Sequence, residues 1–132
     1  MAVPDFQTLM LPLLKITSDG NEHTTSEVVE TLAQQFGLSD NDRKEMLPSG
    51  RQQKFDNRVN WSKTYLQKAL LLSSTGRSRF HITDRGMNVL KSNPSNINIK
   101  FLNQFPEFIA FNAVTNDKES KGTAILSYHR KL

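Results

Sequence analysis

Cysteine is absent from the 132 residues, which removes disulfides, iron–sulfur clusters, thiolate zinc sites and a cysteine nucleophile together. A reducing, cytoplasmic setting is the natural expectation. No stretch approaches the roughly 20 consecutive apolar residues that a membrane span requires. The start, Met1-Ala2-Val3-Pro4-Asp5, lacks the basic run of a secretory leader, so a membrane role has no support. Apolar residues are scarce, at 36% against an ordinary share of about 45%. The core must be small, and a chain of this length is expected to hold one domain and a tail.

Positive charge is missing from the first third. Residues 1 to 42 hold one basic side chain (Lys15) and seven acidic ones, whereas residues 43 to 91 hold eleven basic and three acidic, a local net of +8. Segregation of this kind predicts a one-sided field that attracts polyanions by counterion release. A lysine-coated surface arising by chance is the plainer alternative.

Recognisable catalytic constellations are also lacking. His23, His81 and His129 are far apart without clustered metal-ligand partners. No Gly-x-Ser-x-Gly elbow or phosphate-cradling glycine loop accompanies the serines. Glu119-Ser120-Lys121 has the Glu-x-Lys spacing of metal-dependent nucleases, but it sits in a polar stretch with no strand around it. The expectation is a chain that is not an enzyme, with no metal, cofactor or small-molecule substrate.

What is present is a sequence of amphipathic segments. Phe6, Leu9, Met10, Leu13 and Leu14 recur at helical spacing after Pro4-Asp5, predicting a helix over about 5 to 16. Thr24-Thr25-Ser26-Glu27 fits a capping box for a second helix that stops at Gly37. A short helical piece follows from Ser39, and Pro48-Ser49-Gly50 breaks the chain. Gln53 to Leu71 carries the longest helical pattern, with Phe55, Val59, Ser62, Leu66, Ala69 and Leu70 on one arc and Tyr65 at its edge. Two extended runs around Thr75-Gly76-Arg77-Ser78 predict a hairpin, and Thr83-Asp84-Arg85-Gly86 opens another helix.

This order is that of a winged helix-turn-helix, a mainly α fold with a small β-hairpin wing. Residues 1 to 95 are expected to form that domain, 96 to 111 an apolar extension, and 112 to 132 a polar linker or tail.

Double-stranded DNA is the partner this pattern fits. The outward arc of the long helix carries Asn57, Asn60 and Lys68, and an amide can bond adenine along its major-groove edge. Ser49, Arg51 and Lys54 at the helix entry suit a phosphate, and Arg77, Ser78 and Arg79 sit at the wing turn. Arg58 divides between a phosphate clamp and a structural partner for an acidic side chain, and Trp61 between packing at a helix contact and stacking on a base. A merely solvated helix face is the alternative for the whole set. His81 is expected to point outward from the wing, as a phosphate contact or an ordinary surface histidine.

The chain resembles the N-terminal domain of Mrr-type restriction proteins. The resemblance is carried by Val3-Pro4, Leu47-Pro48-Ser49-Gly50, the run from Asn57-Arg58-Val59-Asn60-Trp61 through Tyr65-Leu66-Gln67-Lys68-Ala69, and Phe80-His81-Ile82-Thr83-Asp84-Arg85-Gly86, and it spans about residues 3 to 93. It implies a DNA specificity module, in related systems one that directs cutting to methylated bases. The nuclease domain of the PD-(D/E)xK type that usually follows lies outside this sequence. One departure is local: the family often has Gly-Leu after the helix alanine, and this chain has Leu70-Leu71. The competing readings are a protein-interaction or homodimerisation module using Phe101, Phe105, Phe108 and Phe111, and a DNA-binding regulator outside restriction.

Overall fold

The computed structural model describes residues 3–120, with side chains to residue 113. Helix α1 (Phe6–Ile16) begins where the Asp5 carboxylate accepts from the Thr8 amide at 2.7 Å, and it buries Leu9, Met10, Leu11, Leu13 and Leu14. A short strand, β1 (His23–Thr24), leads into α2 (Thr25–Gln35). Thr24 and Glu27 form the expected capping box, and Gly37 ends the helix at φ 62°. Helix α3 (Asp40–Lys44) has a second capping box, formed by Ser39 and Asp42.

The long helix α4 (Lys54–Lys68) runs through the middle of the domain and packs chiefly on α1. Its buried side is broader than the expected arc. Tyr65 is fully enclosed and meets Phe6 edge-on at 5.0 Å, while Trp61 is 4% exposed and meets Tyr65 at 6.0 Å. Leu70, expected on the core arc, is 45% exposed because the helix ends at the Ala69 cap and Leu70 turns left-handed, φ 62°.

Strands β2 (Leu72–Gly76) and β3 (Arg79–Ile82) form the hairpin, and β1 adds a third antiparallel strand in the order β1-β3-β2. Phe80 and Ile82 point into the core, as the period of two requires. Helix α5 (Asp84–Lys91) follows, capped by Thr83, and comes so close to the α4 exit that a Cβ on Gly86 would lie 2.3 Å from the Leu71 carbonyl oxygen.

Helices α6 (Ile99–Leu102) and α7 (Pro106–Ser120) complete the structure. Ile97, Leu102 and Phe108 belong to the same core as α1 and α4, with Phe101, Phe105 and Phe111 half-buried against it. The aromatic run therefore closes over Tyr65, which Phe108 and Phe111 approach at 5.6 and 5.5 Å. Residues 112–120, polar enough to suggest a linker, continue α7 as helix. The Glu119-Ser120-Lys121 spacing thus begins on a helix and ends outside the described residues, where His129 and the rest of the expected tail also lie.

Helix, strand, helix, long helix and hairpin follow one another as in a winged helix, so the architecture is mainly α with a small antiparallel sheet.

Candidate nucleic-acid interface

In the hairpin, Gly76 pairs with Arg79, leaving Arg77 and Ser78 at the turn, with Ser78 left-handed at φ 59°. The Ser78 carbonyl accepts from the Thr25 amide at 3.0 Å, which fixes the turn against the start of α2. Lys63 adds a tie from α4: its ammonium lies 3.4 Å from the Thr25 hydroxyl and 6.0 Å from the centre of the Phe80 ring. Burial pushes the Lys63 pKa down. Glu22 holds the hairpin from β1's side, accepting from the Thr75 hydroxyl at 2.7 Å and from the Arg79 guanidinium at 3.4 Å.

Between this turn, α2 and the first half of α4 lies a groove of about 350 Å³, whose lining includes Thr25, Glu30, Arg43, Gln52, Asp56, Asn60 and Ser78. The Asn60 amide donates to the Asp56 carbonyl at 3.2 Å. Asn57, one turn before, donates to the Gln52 side chain at 3.1 Å. Arg43 is held by Glu30 through two bonds of 3.2 and 2.5 Å. The pair lowers the Glu30 pKa and raises that of Arg43. Burial raises the pKa of Asp56, against the pull of Arg43 nearby.

The helix entry forms a small projecting loop. A bridge between Met46 and Gln53 closes it, and the Leu47 amide bonds the Gln52 carbonyl at 3.0 Å. Ser49 and Arg51 are exposed on this loop, and Lys54 pairs with Glu45 at 3.0 Å. Among the described residues, the guanidinium groups of Arg51 and Arg77 make no hydrogen bond or ion pair.

Three of the eleven expected residues lie elsewhere. Arg58 donates through Nη1 to the carbonyls of Val3 and Pro4, at 2.8 and 3.2 Å, so its partner in the fold is the entry to α1 and not an acidic side chain. Trp61 is enclosed in the core and offers no face for stacking. Lys68 is at the far end of α4, 5.5 Å from the Phe111 ring, roughly 20 Å of helix from Lys54 at 1.5 Å per residue. The other eight occupy the loop, the first half of α4 and the wing. His81 lies on the face of β3 opposite Phe80 and Ile82, half-buried there with Nδ1 shielded from solvent.

The charge pattern is also redrawn by folding. Glu22 meets Arg79 and Glu30 meets Arg43, so acids of the first third neutralise cations of the middle. Asp56, Arg43, Glu30 and Gln52 had no local signal as groove residues, because they come from three separate helices and the loop before α4.

Among the described residues no group of three or more potential ligands could hold a metal ion, and no helix is long and apolar enough to cross a membrane. No curated protein and no solved structure matches the chain. The family model of the Mrr N-terminal domain matches residues 6–92, which contain every element from α1 to α5 and the whole groove. A match over that much of the sequence shows that the chain belongs to the Mrr N-terminal domain family, associated with Mrr-like restriction systems.

Proposed function

We propose that this chain is the double-stranded DNA-binding specificity module of an Mrr-like restriction system. Cleavage belongs to a nuclease domain that the family match does not include. The observation that carries the reading is the groove between α4 and the wing, flanked by the unpaired guanidinium groups of Arg77 and Arg51. In winged helices this is the side that meets a duplex, with the helix toward the major groove and the wing along the backbone. Cations at the rim suit phosphates, and amides inside suit base edges.

Ser49, Arg51 and Lys54 contact one stretch of backbone, and Arg77, Ser78 and Arg79 another. Asn57 and Asn60 face the bases. Arg58 and Trp61 hold the helix in place without touching DNA.

Titration of a mixed pool of plain and methylated duplexes at several salt concentrations tests this. Binding weakens steeply with salt, and Arg77→Ala with Arg79→Ala flattens the log–log slope by about 0.9 for each phosphate that is no longer neutralised. A flat salt response, or no binding to any duplex, overturns the reading. Preference for methylated over matched plain duplexes in the same titration supports a role in sensing modified bases, and equal affinity removes it.

A further inference from the structure

We infer that the groove between α2, α4 and the wing reads the exocyclic amino group of a base, adenine N6 or cytosine N4, through acceptors supplied by Asp56 and Asn60. This rests on the duplex-binding reading above and adds the chemistry of the base edge.

The groove disfavours anions. Glu30 and Asp56 bring two carboxylates against the single guanidinium of Arg43, which Glu30 already holds with both oxygens. A phosphate entering here would find the lining guanidinium already occupied by Glu30 and a second carboxylate, Asp56, beside it. The backbone must therefore run over the rim, and a neutral group must enter.

Hydrogen-bonding capacity then selects which neutral group. Asp56 Oδ1 is shielded from solvent and has no donor among the described residues. Asn60 uses one amide N–H on the Asp56 main-chain carbonyl, and its side-chain oxygen accepts no bond among the described residues. The raised pKa of Asp56 has the same origin, a carboxylate short of water and of donors. A rotation about the soft terminal torsion of the aspartate exposes the shielded oxygen to a donor in the groove.

Along the major groove only adenine N6 and cytosine N4 donate, while guanine and thymine present acceptors at the equivalent place. An acceptor-rich groove accordingly prefers amino bases over carbonyl bases. Arg43 Nε is the shielded donor of the same groove. It matches adenine N7 beside the amino group and has no counterpart on cytosine, so the two bases are separable.

The experiment enriches duplexes from a randomised pool with the wild-type protein. In the enriched duplex each adenine is replaced in turn by purine, and each cytosine by pyrimidin-2-one, which deletes the amino group alone. One deletion is expected to cost the wild type about tenfold in affinity. Asp56→Ala and Asn60→Ala should bind the intact and deleted duplexes alike within about twofold, with an unchanged salt slope. If Asp56→Ala fails to fold, Asp56→Leu keeps the volume, removes both acceptor oxygens and must lose the same preference. A cost below about threefold at every position, or an equal cost in wild type and variants, overturns the inference while leaving salt-dependent binding intact. Loss of all salt-dependent duplex binding in the wild type sinks the broader reading along with it.

Discussion

At Leu70 a single side chain opposes the backbone. The α4 exit is a Schellman motif, with the Leu71 amide on the Leu66 carbonyl at 2.9 Å and the Leu70 amide on the Gln67 carbonyl at 3.0 Å. The same motif ends α2, where Gly37 takes the left-handed place. That place demands no Cβ, which accounts physically for the glycine often found there in the family. Leu70→Gly is expected to stabilise the domain by about 1 kcal/mol relative to Leu70→Ala, because both discard the side chain and only glycine removes the left-handed cost. Urea unfolding of both variants measures it, and equal midpoints would show that the strain is absent.

His23 is the second residue with a consequence of its own. It is 6% exposed, with Nε2 2.9 Å from Asp19 Oδ1 and Nδ1 3.1 Å from Glu27 Oε2. Burial opposes the charge, yet the two carboxylates outweigh it and the pKa ends above the ordinary 6.5. A raised folded pKa stabilises fully below the unfolded value and is lost as pH rises through the folded one. Thermal stability should therefore decline as pH rises above about 6.5, the ordinary imidazole value, and His23→Gln should remove that decline. Parallel melts from acid to mildly alkaline pH check this, and identical pH dependence in both proteins would refute it.

Element boundaries were legible where their causes are local. The Thr24–Glu27 capping box, the Gly37 stop, the Ser39 start of α3 and the Thr83 cap depend on residues within a few positions of one another, and each stands where the sequence places it. Boundaries set by distant packing were not. Strand β1 exists only because Phe80 and Arg79 pair with His23 and Thr24, far along the chain. Helix α7 persists through polar residues after docking by Phe108, which composition alone could not reveal. Gly86 shows how one element constrains another. Its Cβ would lie 2.6 Å from Ile82 Cγ1 as well as against the Leu71 carbonyl, so α5 can approach β3 only without a side chain. Gly86→Ala is expected to destabilise by about 3 kcal/mol, the upper end of over-packing. Equilibrium unfolding decides it, and a loss under about 1 kcal/mol would mean that α5 shifts freely.

Over the whole molecule, the linear separation of charge turned out to be a pairing rule. The acidic first third and the basic middle meet at Glu22–Arg79 and Glu30–Arg43 on the face proposed to meet DNA, whereas Arg85–Glu107 forms on the α7 side. Sequence could count these charges but not match them, since each partner is brought in by tertiary packing. The pairing has a consequence for affinity: a carboxylate that holds Arg79 competes with phosphate for it. Glu22→Gln keeps the acceptor for the Thr75 hydroxyl and removes the charge, so the wing stays tied while Arg79 is released. Exposed pairs are worth about 0.2–1 kcal/mol, which sets the expected gain at up to about fivefold in affinity for plain duplex at low salt. Glu107→Gln, at the opposite end of α4, should leave binding unchanged. Anisotropy titrations of the two variants against the wild type test the idea, and weaker or equal binding by Glu22→Gln would show that Arg79 never faces the backbone.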